Sequence, residues 1–217
     1  MEKLFVITVG TSLITGTGRL NRTQKDAVMD ESMSPVPVSP AAQQVLDLYA
    51  DMLRTDHTPF LDTAEFWTMR AYQRTMHPES SQRFTPGVRY VFVGPDTYVG
   101  RWVMQMFREI ISTQYATINV EMNIVVPVAT YGMPMVFDTA QMELNQRLNR
   151  LTDPYIAAEC ADAVIFNATG GSKVISGWVH TYATLRGHRV LYLYDGSREI
   201  LMTKPRIAAD FPTPFFI

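Results

Sequence analysis

The chain is short of cysteine, of net charge and of long apolar runs, and each shortage removes a class of protein. Its 217 residues hold one cysteine, Cys160, so neither an internal disulfide framework nor a Cys-rich zinc site can form. That usage fits a reducing compartment and makes the cytoplasm the expected location. With 19 basic and 21 acidic side chains the formal net charge is −2, so no bulk positive field exists to hold a long nucleic acid. A compact nucleotide is compatible with that balance. No run of about 18 apolar residues occurs, and the opening Met-Glu-Lys-Leu-Phe-Val-Ile-Thr-Val-Gly lacks the apolar stretch of a signal peptide, so no membrane partner is expected.

Familiar cofactor fingerprints are missing too. Gly16 and Gly18 are followed by Asn21 where a dinucleotide motif needs its third glycine, and Thr15 breaks a phosphate-binding loop begun at Gly10. Gly170-Gly171-Ser172-Lys173-Val174 lacks the closing glycine of a nucleophile elbow. His57, His77, His180 and His188 show no metal-ligand spacing and are expected on the surface or on helices. Neither a cofactor nor a metal is expected.

What the sequence does contain is core-forming material. Hydrophobic residues make up 47%, with 11 Phe, 10 Tyr and 13 Met, which suits one globular domain over residues 1–217 rather than a disordered chain. Short apolar runs at 3–9, 89–93, 120–128, 163–166 and 189–194 end in glycine, proline or polar loops and read as buried strands. Between them, residues 41–53, 98–111, 139–159 and 172–185 carry helical spacing. This alternation predicts an α/β fold: a Rossmann-like, mostly parallel sheet with helices on both faces. Two segments interrupt it. Residues 16–40 are polar and rich in Pro and Ser toward their end, as expected of a lid. Residues 55–87 hold Phe60, Phe66, Trp67 and Tyr72, and are expected to be partly helical and packed, within the chain or against another subunit. Cys160, beside Ala158 and Ala161 near a helix end, reads as a small buried residue.

Ligands of such folds bind outside the carboxyl ends of the strands. Every small or polar motif falls at that edge: Gly10-Thr11-Ser12-Leu13, Gly94-Pro95-Asp96-Thr97, Tyr131-Gly132-Met133 and Thr169-Gly170-Gly171-Ser172-Lys173. The last follows a strand and opens a helix, where free amides and the positive helix end favour an anion. Lys173 opposes that helix dipole unless an anion stands before it. Asp96 reads either as the N-cap of the next helix or, with Thr97, as an acceptor for a ribose or base edge. The Ser12 hydroxyl faces the same crevice or simply caps a turn.

Taken in order, Gly10-Thr-Ser-Leu13, then Asp96 and Thr97 with Gly100, then Phe166-Asn-Ala-Thr-Gly-Gly-Ser-Lys173 resemble the CARF family, the CRISPR-associated Rossmann fold. The likeness continues through Val190-Leu-Tyr-Leu-Tyr-Asp195 and residues 199–202. It departs at Ser172, where the family often has an aromatic residue, and at Pro95, where it often has a small polar one. The resemblance implies a homodimer that binds cyclic oligoadenylate, foremost cyclic tetra-adenylate, across its two-fold axis. A ring with two-fold symmetry suits an isologous dimer. Only residues 203–217 follow the last strand, so the resemblance points to stand-alone ring nucleases. It implies metal-independent cleavage by the ribose 2′-OH, leaving a 2′,3′-cyclic phosphate and a 5′-hydroxyl. Ser12 and Lys173 become the catalytic pair. Ligand contacts fall to Gly10, Thr11, Leu13, Asp96, Thr97, Tyr131, Gly132, Met133, Asn167, Thr169, Gly170, Gly171 and Ser172. The competing expectation is a messenger-binding module without turnover, acting with a separate effector. An ordinary nucleotide-dependent Rossmann enzyme is disfavoured by the broken fingerprints.

Overall fold

The computed structural model describes residues 2–76, 78, 88–114, 119–126, 134–193 and 199–203. Along the chain these form β1 (Lys3–Thr8), α1 (Ser12–Thr15), α2 (Arg22–Met29), α3 (Pro40–Thr55), α4 (Thr58–Leu61), α5 (Ala64–Met76) and β2 (Val88–Pro95). Then come α6 (Tyr98–Gln114), β3 (Asn119–Val126), α7 (Pro134–Ala157), β4 (Val164–Asn167), α8 (Lys173–Leu185), β5 (Arg189–Leu193) and β6 (Ile200–Met202). The strands make one sheet in the order β3-β2-β1-β4-β5-β6, parallel throughout except for β6, which runs antiparallel to β5. The expected Rossmann-like α/β architecture is the one observed, and the chain crosses over on both sides of the central β1.

Strand periodicity explains why both faces are covered. Side chains alternate across a sheet. Phe5 and Ile7 of β1, with Tyr90 and Phe92 of β2, therefore enter one core, shared with α3, α4, α5 and α6. Leu4, Val6, Val91 and Val93 enter a second core under α7 and α8. Such strands have no solvent face, which is why they read as unbroken apolar runs.

Both interrupting segments fold onto this frame. Residues 55–87 hold α4 and α5, and Phe60 is fully buried with its ring centroid 3.9 Å from Phe66 and 4.7 Å from Phe107 of α6. Its described part packs inward on its own sheet, α5 lying against β4, β5 and β6. The expected lid is likewise a packed strap. Leu20, Val28 and Val38 are buried, the Asn21–Gln24 capping box starts α2, and the Tyr98 amide donates to the Ser34 carbonyl at 2.8 Å. Three widely spaced apolar residues suffice to dock it, and their spacing has no period to read. Two smaller expectations also change: His188 is buried beside the Phe166 ring instead of lying on a surface or helix, and Cys160 is only half-buried. Among the described residues no helix is long and apolar enough to cross a membrane.

Candidate functional site at the carboxyl edge of β1 and β4

β1 and β4 are parallel neighbours, Ile7 opposite Asn167, so the turns that follow them emerge side by side. They touch through their glycines. A Cβ on Gly10 would lie 2.6 Å from the Gly171 amide nitrogen, and Gly171 itself has φ +92°, so this approach demands glycine on both turns. Ser172 then caps α8, its hydroxyl accepting the Ile175 amide at 3.3 Å. Lys173 is the first helical residue. It is exposed, and among the described residues no carboxylate pairs with it. At this helix start the amides of Lys173 and Val174 have no acceptor within the helix, as geometry requires of a first turn.

A residue outside the sequence candidates joins the two turns. Glu65, from α5, is fully buried with both carboxyl oxygens engaged. Oε1 accepts the Gly10 amide at 3.0 Å, and Oε2 accepts the Ser12 hydroxyl. A Cβ on Gly170 would stand 2.1 Å from Oε1, so the glycine there makes room for this carboxyl. The expected free cradle is thus partly filled from within: the Gly10 amide and the Ser12 proton already serve an internal acid. Burial pushes the Glu65 carboxyl above its ordinary value, while the hydrogen bonds from Ser12, Gly10 and its own backbone amide pull it back only in part.

Around this acid the edge is pinned by amide and hydroxyl contacts. Asn167, fully buried, donates from Nδ2 to the Glu65 carbonyl at 2.9 Å and accepts the Thr169 amide on Oδ1 at 3.2 Å. The Thr169 hydroxyl accepts from Thr68 at 2.9 Å and from the Leu193 amide at 3.0 Å. Leu13 and Thr97 are also buried. The buried side chains of Asn167, Leu13 and Thr97 therefore hold the edge together. Thr97, not Asp96, caps α6, accepting the Gly100 amide at 3.0 Å. Asp96 is paired with Arg101, whose second amino group donates to the Pro35 carbonyl at 2.7 Å and fastens the strap to this turn. Gly10, Thr11, Ser12, Thr169, Gly171 and Ser172 are half-buried beside exposed Lys173, and Gly170 is buried beneath them. Tyr131, Gly132, Met133 and His77 lie outside the described residues.

The model of a family described as CRISPR-associated protein (Cas_APE2256) matches residues 63–206, well over half of the chain. The chain belongs to that family. The matched segment includes Glu65 and the whole turn from Asn167 to Lys173, while Gly10 and Ser12 precede it. No curated protein matches the chain. A groove of about 620 Å³ along α6, lined by Arg101, Gln105, Arg108 and Glu109 among others, shares none of the residues of the β1 and β4 turns.

The sequence did contain a signal for Glu65. Glu65, Met69 and Tyr72 stand at i, i+4 and i+7 on the stripe that α5 buries, where Glu65 is the one ionisable carboxyl beside buried Thr68 and Gln73. Without knowledge of what α5 faces, that oddity had no partner.

Proposed function

We propose that this CRISPR-associated protein binds cyclic oligoadenylate at the carboxyl edge of β1 and β4, in a homodimer that presents two such edges to one ring, and cleaves it without a metal. The ribose 2′-OH attacks the adjacent phosphorus, and the products carry a 2′,3′-cyclic phosphate and a 5′-hydroxyl. Lys173 balances the charge that builds on the phosphate, and Ser12 orients the 2′-OH. Such cleavage switches off signalling by the messenger.

The observation that carries this reading is the juxtaposition of the two turns. Half-buried Ser12 and exposed Lys173, which no carboxylate pairs among the described residues, stand on the turns that follow neighbouring parallel strands, with the start of α8 supplying amides of the right polarity for a phosphate. Membership of a CRISPR-associated family supports the messenger as the ligand class.

One observation favours a second reading, a messenger-binding module without turnover. The Gly10 amide and the Ser12 hydroxyl, two donors that a phosphate would use, are committed to Glu65. Incubation of pure protein with labelled cyclic tetra-adenylate and cyclic hexa-adenylate in chelator separates the two. Linear products support cleavage, a stable unprocessed complex supports the binding module, and no association with either ring removes both.

A further inference from the structure

Attack by a 2′-OH releases a proton, and a metal-free site must say where it goes. Lys173 is cationic and cannot take it, and a serine hydroxyl is no base at neutral pH. No histidine among the described residues stands at these turns: His57 precedes α4, His180 lies within α8, and His188 is buried against Phe166. Ser12, however, is bonded to a carboxyl.

Resting on the cleavage reading above, we infer that Glu65 is a positioning residue that receives the 2′-OH proton through Ser12. Glu65 is fully buried and Ser12 is half-buried, so the substrate meets only the serine. With Glu65 ionised, the single Ser12 proton points at Oε2, and the remaining capacity of Oγ is to accept a hydrogen bond from outside. A ribose 2′-OH is such a donor. As the 2′-oxygen bonds to phosphorus and the bond from phosphorus to the 5′-oxygen breaks, the 2′-OH proton moves to Ser12 Oγ while the serine proton moves to Glu65 Oε2. The departing 5′-oxygen takes a proton from solvent water, and Glu65 later returns its proton to solvent.

Two further features suit the task. Gly10 holds Oε1 from the other side, so the carboxyl cannot rotate away from Ser12. The groups that face it are Gly10 and Ser12 from the first turn and Gly170 from the second, with Asn167 on the backbone of the same residue, and no charged side chain among the described residues contributes to its acidity. Burial therefore makes it a stronger base than a surface glutamate once ionised.

The test is single-turnover cleavage of labelled cyclic tetra-adenylate by the full chain and by Glu65→Gln, with ring binding measured in parallel. Glutamine can accept from Gly10 and hydrogen-bond Ser12 but cannot take a proton. Cleavage slowed about 100-fold with binding retained is the expected result, the scale of a lost general base. Cleavage by Glu65→Gln at the wild-type rate overturns the relay and leaves the cleavage reading standing, whereas a wild-type protein that never cleaves overturns both. Should Glu65→Gln fail to fold, the pH profile of the wild-type chain decides. Its cleavage rate should fall on acidification while the ring stays bound, and Ser12→Ala should lack that acid limb. A flat wild-type profile overturns the proposal.

Discussion

Gly170 and Glu65, 105 positions apart, share a space that has no room for a Cβ: an added methyl at Gly170 would sit 2.1 Å from Oε1 and 2.6 Å from the Glu65 Cγ. Gly170→Ala should therefore cost about 1–3 kcal/mol, the range for forcing extra volume into a filled interior. Urea unfolding measures it. Trimming the acid as well, in Gly170→Ala with Glu65→Ala, should recover part of the loss. Strictly additive costs would show that the two residues do not share this space.

Lys173 is exposed and, among the described residues, tied to no carboxylate, so Lys173→Ala should leave the melting temperature nearly unchanged. Under the proposed function it should slow single-turnover cleavage by about 100- to 1000-fold, the scale for removing one donor to transition-state charge. An unchanged rate would remove Lys173 from the chemistry.

Folding raises the Glu65 carboxyl above its ordinary value of 4.5, so the folded chain holds this proton more tightly than the unfolded chain does. The stability this contributes is complete below that ordinary value and is lost as pH rises through the folded one. Urea midpoints of the wild-type chain should accordingly fall with rising pH more steeply than those of Glu65→Gln, whose amide does not titrate. Parallel curves for the two proteins would contradict the shift.

Phe60 anchors the insertion to the sheet through Phe66 and Phe107. Phe60→Ala should cost about 3–5 kcal/mol, as for other fully buried aromatic side chains. Because α5 carries Glu65, the same substitution should loosen the Ser12 contact. Amide exchange at Gly10 reports this directly: faster exchange in the variant is expected, and unaltered exchange would mean that α4 and α5 dock independently.

How much could be read beforehand depended on whether a signal was local. Helices such as α3 and α8 and strands such as β1 and β2 matched their apolar spacing to within a few residues, because one covered face imposes a period of 3.6 and two covered faces impose an unbroken run. Helix α2 was missed. Its eight residues bury only Val28 and are held by a capping box, so no period announces them. The cap that was one of two readings for Asp96 belongs to Thr97, a difference of one residue that depends on backbone geometry alone.

By itself the chain determined the α/β alternation, the edge on which the motifs at 10–13, 94–97 and 169–173 fall, and the start of α8 at Ser172 and Lys173, since these follow from patterns a few residues long. Only the tertiary structure decided what fills that edge. A hydrogen bond from Gly10 to Glu65 spans 55 positions, and no local spacing encodes it. It exists because α5 docks across β4, β5 and β6 and brings a carboxyl to two glycine turns, where burial raises its basicity and the lack of a Cβ at Gly170 leaves it room.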